Sequence, residues 1–105
     1  MRIIDTGDKI LTGDNHPQLR IGDKLYLVDD RKSTWDKIQA VQNDDSIIEK
    51  DEAVFNLALG KEAAAELMAM DLTVQGFNAL SFYVMAAITG EDYDELVSAA
   101  KNAKN

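Results

Sequence analysis

The sequence predicts an α+β domain: a short N-terminal antiparallel β-hairpin unit over residues 2–30, then four to five helices forming a small bundle. Three observations predict it. Up to residue 30 the apolar residues fall in short runs punctuated by Gly, Asp, Asn or Pro. Beyond residue 30 they recur at helical spacing, and no proline follows Pro17. Strands therefore come first and helices after, the order of an α+β fold rather than of alternating βαβ units. With 105 residues and no linker-like stretch, one domain is expected over 1–105, β-rich over 1–30 and helical over 33–102.

The first thirty residues offer "RII", "KILT", "QLRI" and "KLYLV" as strands. "QLRI" and "KLYLV" are separated by Gly22-Asp23, a two-residue hairpin turn in which Gly supplies φ > 0 at the first central position. "GDNHP" is the other connection, because Pro17 cannot sit within a central strand. In "KLYLV", Leu25 and Leu27 share one side and Tyr26 and Val28 the other. A strand apolar on both sides is expected to be covered on both, here by helices.

Each helix carries its own start and stop. Ser33 or Thr34 is the expected N-cap of the first, with Trp35, Ile38 and Val41 as its apolar stripe. Ser46 and Glu49 have capping-box spacing ahead of Val54, Phe55 and Ala58, and Gly60 ends that helix. "KEAAAELMAMDL" is rich in strong helix formers, with Ala64, Leu67 and Met68 in a stripe. Thr73 caps the next helix and Gly90 closes it. "EDYDELVSAAKNAKN" begins with acids and ends with lysines, as a helix dipole favours, with Tyr93, Leu96, Val97 and Ala100 as its stripe.

Composition narrows the function classes. A net charge of −8 with eleven scattered Lys and Arg offers no basic face for nucleic acid or for an anionic membrane. No apolar run approaches a membrane span, and "MRIIDTGDK" has no signal-peptide core, so a cytoplasmic protein is expected. The absence of cysteine removes disulfides, thiolate zinc sites and a cysteine nucleophile.

Three Gly-Asp pairs, at 7–8, 13–14 and 22–23, raise the question of a calcium loop. Asp5, Asp8 and Asp14 lack the alternate-ligand spacing of an EF-hand and are separated by apolar residues, so the pairs read as turns. His16 is the sole histidine and sits beside Pro17 in a turn, where a solvated side chain is expected rather than a held base. Asp92, Asp94 and Glu95 around Tyr93 are ordinary first-turn acids of a helix. No phosphate-binding glycine loop occurs. No metal ligand set, cofactor site or catalytic constellation emerges, and an enzyme is not expected.

The segment "FNALSFYVMAAI" is apolar nearly all round. Phe77, Leu80, Val84 and Ile88 form one stripe, and Phe82 and Met85 a second. Such a helix is either central to its domain or shared with a partner, and both hold if the domain self-associates. Methionine adapts to imprecise contacts, which brings in Met68 as well. Phe77, Phe82, Met85 and Met68 are the candidate partner-binding residues.

With "LRIGDKLYLVDD" leading into "FNLALGKEAAAELMAMDLTVQGFNALSFYVMAAITGEDYDEL", the chain resembles the small tail assembly chaperones of long-tailed phages and of prophages of Gram-positive bacteria. The resemblance covers most of the chain and rests on layout, above all on the stretch from "LG-K-E-A" to "ITGEDYDEL". It implies a non-enzymatic protein that binds the tape-measure protein, and in some cases tail-tube subunits, and is absent from the finished virion. Genes of that family often end at a programmed frameshift, and the Ala-Lys-Asn triplet repeated at 100–102 and 103–105 is compatible with a slippery A-rich run. A long, apolar, helical client needs apolar grooves rather than chemistry, and negative charge keeps such an assembly soluble. A homo-oligomer is expected. The competing expectation is an acidic regulatory or inhibitory protein of a mobile element, acting as a nucleic-acid mimic.

Overall fold

The computed structural model describes residues 1–7 and 16–103. These form an antiparallel hairpin of β1 (Gln18–Ile21) and β2 (Lys24–Leu27), followed by α1 (Lys32–Gln42), α2 (Lys50–Leu59), α3 (Lys61–Ala69), α4 (Val74–Thr89) and α5 (Tyr93–Ala103). The α+β order of a hairpin followed by a small bundle is therefore as expected. Ile21 pairs with Lys24, which leaves Gly22-Asp23 as the two-residue turn, with Gly22 at φ +63°. Gly7 also has positive φ, +59°, and its N–H donates to Asp5 Oδ1 at 2.9 Å, so this corner too is a turn. "KILT" and Gly13-Asp14 lie outside the described residues.

Two strand expectations change. Arg2–Ile4 belongs to no strand, and Ile3 and Ile4 stand 84% and 73% exposed. β2 is covered on one face only: Tyr26 and Val28 are buried, whereas Leu25 and Leu27 are 50% and 60% exposed. The register explains the second change. Leu25 lies opposite Arg20 and Leu27 opposite Gln18, so the outer face of the hairpin mixes leucines with polar residues that belong in water.

The helix caps divide in the same way. Thr73 accepts a hydrogen bond from the Gly76 N–H at 3.0 Å, and Gly90, at φ 78°, closes α4 in the left-handed conformation, both as expected. Gly60 ends α2, its N–H donating to the Asn56 carbonyl, and its own carbonyl accepts the first bond of α3 from Ala64. The N-caps expected for α1 and α2 are not used. α1 starts at Lys32, one residue ahead of Ser33, and the Thr34 hydroxyl donates instead to Asp29 Oδ2 at 2.8 Å. α2 starts at Lys50, and Ser46 donates to Asp44 at 2.6 Å rather than boxing with Glu49. In both places a nearby carboxylate takes the hydroxyl that a free helix end would use. At α5, Asp92 Oδ1 accepts the Asp94 N–H at 2.8 Å, a helix-start role for these acids.

The core draws on both halves of the chain. Tyr26 of the hairpin is buried with Ile38 of α1, Val54, Phe55 and Ala58 of α2, Ala64 and Leu67 of α3, and Leu80 and Val84 of α4. α1 packs on α2, α2 on α3, α4 on α5, and β1 lies against α4. Phe55 is the largest fully buried side chain, and its ring tilts against Phe77 at 5.3 Å. Phe55→Ala should lower unfolding stability by about 3–5 kcal/mol, a large part of the total for a domain of this size, measured by urea denaturation followed by circular dichroism.

Candidate partner-binding surface

α4 positions three of the four candidate residues, and its neighbours sort them. Phe77 is half-buried and turned onto Phe55, packed against the core cluster. Met68, on α3, is also half-buried against that cluster. Phe82 is half-buried on another side of α4, edge-on to Tyr93 of α5 at 6.3 Å. Met85 is half-buried and lines a small cavity of about 50 Å³ with Asp51, Val54 and Phe55. The four therefore do not converge on one patch: Phe77 and Met68 pack toward the core, Phe82 toward α5, and Met85 toward α2.

What gathers beside Phe82 is aromatic. Tyr83 stacks on Tyr93, with ring centroids 4.1 Å apart and planes at 16°, and is still 49% exposed. Tyr83 also forms one wall of a groove of about 390 Å³ between α4 and β1, with Leu19, Ile21 and Leu80 as its apolar lining and Gln18 and Arg20 at its polar edge. At the other end of α4, the connection from α3 exposes Met70 (44%), Leu72 (38%) and Val74 (78%). A groove walled by an aromatic ring and floored by aliphatic side chains is what an apolar helix face can enter. Tyrosine suits its rim because the ring is apolar and the hydroxyl stays wet.

Polar contacts hold the hairpin in place over the helices. Glu66 of α3 accepts from Lys24 Nζ at 2.6 and 2.7 Å and from the Tyr26 hydroxyl at 2.9 Å. These donors hold the Glu66 carboxyl below its usual range, while burial and then the bond to Glu66 push the Tyr26 hydroxyl up. After β2, Asp29 receives a two-pronged bond from Arg31 at 2.8 and 2.9 Å and a third from Thr34. The Arg31 guanidinium, first, and the Thr34 hydroxyl hold this carboxyl far below the ordinary carboxylate range. His16 is not the solvated side chain expected from its turn: its Nδ1 lies 2.7 Å from Asp30 Oδ1, and both side chains are part-buried. This contact ties the chain entering β1 to the chain leaving β2.

Sequence reasoning missed Tyr83 and the Glu66 network. It passed over Tyr83 because stripes chosen for the core leave out the residue between them. The Glu66 network joins residues 42 positions apart and leaves no local signal. The exposure of Leu25 and Leu27 did have one, in the strict polar–apolar alternation of "QLRI", the strand opposite. Among the described residues, no group of three or more His, Asp or Glu is placed to hold a metal ion, and no helix is long and apolar enough to cross a membrane.

Asp29 and Glu66 contribute to the expected pH dependence, alongside Asp44, whose carboxyl is also lowered, by its hydrogen bonds from Ser46. The Asp29 and Glu66 carboxyls are both lowered on folding, so each contributes stability that is fully present above its unfolded value, 3.8 and 4.5 respectively, and is lost as pH falls through the lowered folded value. Stability should be flat from these two groups between pH 6 and 8 and decline below about pH 4.5. Glu66→Gln should be less stable than the parent at pH 7, with the gap closing toward pH 3. Urea midpoints at the two pH values check this.

Compared with protein-family models, with characterised proteins and with solved structures, the chain matches none.

Proposed function

We propose that the protein is a phage or prophage tail assembly chaperone, which binds apolar helical stretches of the tape-measure protein in the host cytoplasm and leaves before the virion is complete. The reading starts from the layout of "LRIGDKLYLVDD" and the "LG-K-E-A" to "ITGEDYDEL" stretch. One structural observation carries it: the side of α4 that bears Phe82 and Tyr83 is only half covered by its own chain. Tyr83 is 49% exposed on the rim of the β1–α4 groove, and Phe82 is half-buried beside it. Tape-measure helices are long and apolar and aggregate when bare. A small acidic protein that covers one turn after another of such a helix keeps it soluble without any bond being made or broken.

Co-expression with helical fragments of a tape-measure protein from the same genome tests the proposal. A soluble complex should form and survive size-exclusion chromatography. Tyr83→Ala and Phe82→Asp should each weaken binding roughly tenfold or more, as loss of an aromatic anchor does. Circular dichroism of each free variant checks that the fold survives. Met85→Asp should weaken binding only if the α2 side of α4 also meets the client. The net charge of −8 favours one other outcome, an acidic inhibitor. In that case the tape-measure fragment stays insoluble, and the protein instead binds a basic nucleic-acid-binding protein with affinity that falls steeply as salt rises.

A further inference from the structure

β2 has an edge that its own hairpin leaves open. Ile21 pairs with Lys24 and Leu19 with Tyr26, and the Val28 N–H donates to the Pro17 carbonyl at 3.0 Å. The main chain of Lys24, Tyr26 and Val28 therefore turns toward β1, and that of Leu25 and Leu27 turns away. One residue pair further on, the same edge is closed by the Asp29 N–H, which donates to the Ala58 carbonyl at 2.8 Å. Between this closure and the Gly22 turn, the backbone groups of Leu25 and Leu27 have no hydrogen-bond partner among the described residues. They open on a groove of about 720 Å³ whose far wall is the α2–α3 corner, with Leu59 and Ala63 as its apolar part. The edge of β1 differs, since β1 lies against α4.

The same molecule holds a strand-forming segment that pairs with no strand among the described residues. Arg2-Ile3-Ile4-Asp5 has the β-branched pair of a strand, yet forms none, and both isoleucines are exposed. We propose that Arg2–Asp5 of one copy adds to the free edge of β2 in a second copy, as a third strand, and that reciprocal exchange makes a dimer.

Size, side-chain pattern and charge agree. A four-residue strand spans roughly 13 Å, the length of the four-residue β2. Successive side chains point to opposite faces, so one isoleucine joins Leu25 and Leu27 on the outer face and the other meets Leu59 and Ala63 inside the groove. Glu62 in the groove wall is a counter-charge for Arg2. With Lys24, Lys61, Glu62 and Glu66 the groove carries both signs equally, so a second copy of a chain of net charge −8 meets no net repulsion there. A second copy is the occupant because in the single chain Arg2–Asp5 is not paired with β2 and both isoleucines stand exposed; a segment that folded back onto its own β2 would leave the parent monomeric. This pairing stands apart from the tape-measure proposal and uses neither Phe82 nor Tyr83.

Sedimentation equilibrium of the full chain over a range of concentrations tests it. The parent should shift from monomer to dimer. Ile3→Asp with Ile4→Asp should weaken association roughly tenfold or more, with the unfolding midpoint unchanged at concentrations where the parent is monomeric, because both side chains are exposed in the single chain. Leu27→Pro removes an edge N–H that β1 does not use and should also leave a monomer. Mixing the two variants should restore a heterodimer, since one retains the groove and the other the segment. A parent that stays monomeric at every concentration, or an Ile3→Asp, Ile4→Asp chain that dimerises as tightly as the parent, overturns the proposal.

Discussion

A two-stranded hairpin buries too little surface to persist in water, so β1 and β2 depend on the helices beneath them. Tyr26 provides that dependence. Its ring is buried in the core shared with Ile38, Phe55 and Leu67, and its hydroxyl donates to Glu66 on α3. One side chain thus couples apolar burial to a directed polar bond across two halves of the chain. Lys24 adds to the same carboxylate, and the Asp29–Arg31–Thr34 contacts hold the turn from β2 into α1. With the hairpin seated by its inner face, Leu25 and Leu27 lie on the outer face, and their backbone groups have no hydrogen-bond partner among the described residues.

α4 shows the complementary constraint. Its stripe of Leu80 and Val84 fills the core, and α5 covers part of a second side through Phe82 and the Tyr83–Tyr93 stack. The other four helices and the hairpin do not fully enclose α4: Tyr83 is 49% exposed, and Phe82, Met85 and Ile88 are half-buried. Some of its surface must remain for water or for a partner, and that surface lies where Tyr83 rims the groove against β1. The two proposed contacts lie on different sides of the domain: the groove between α4 and β1 for a client, and the groove between β2 and the α2–α3 corner for a second copy.

Much of the fold was legible locally. Gly22 at the hairpin turn, Thr73 at the start of α4 and Gly90 at its end each follow from backbone chemistry within three or four residues. So do the stripes through Ile38, Val54, Phe55 and Ala58, which period alone places on the buried side. Ser46 and Thr34 were misjudged because a hydroxyl chooses between a helix end and a carboxylate, and Asp44 and Asp29 were the nearer partners. Leu25 and Leu27 differ from expectation because "KLYLV", apolar on both sides, does not itself say which side the helices cover, whereas the alternation of its partner strand "QLRI" does.

By itself, then, the sequence determined the order of elements, the turn and cap glycines, the acidic surface and the identity of the core side chains, since these rest on period, backbone conformation and charge. Only the tertiary structure decided which side of α4 is left open, and that Glu66 meets Lys24 and Tyr26 and His16 meets Asp30. The reason is physical: an apolar side chain carries no direction, so what it packs against is settled only when distant elements compete for the same limited core.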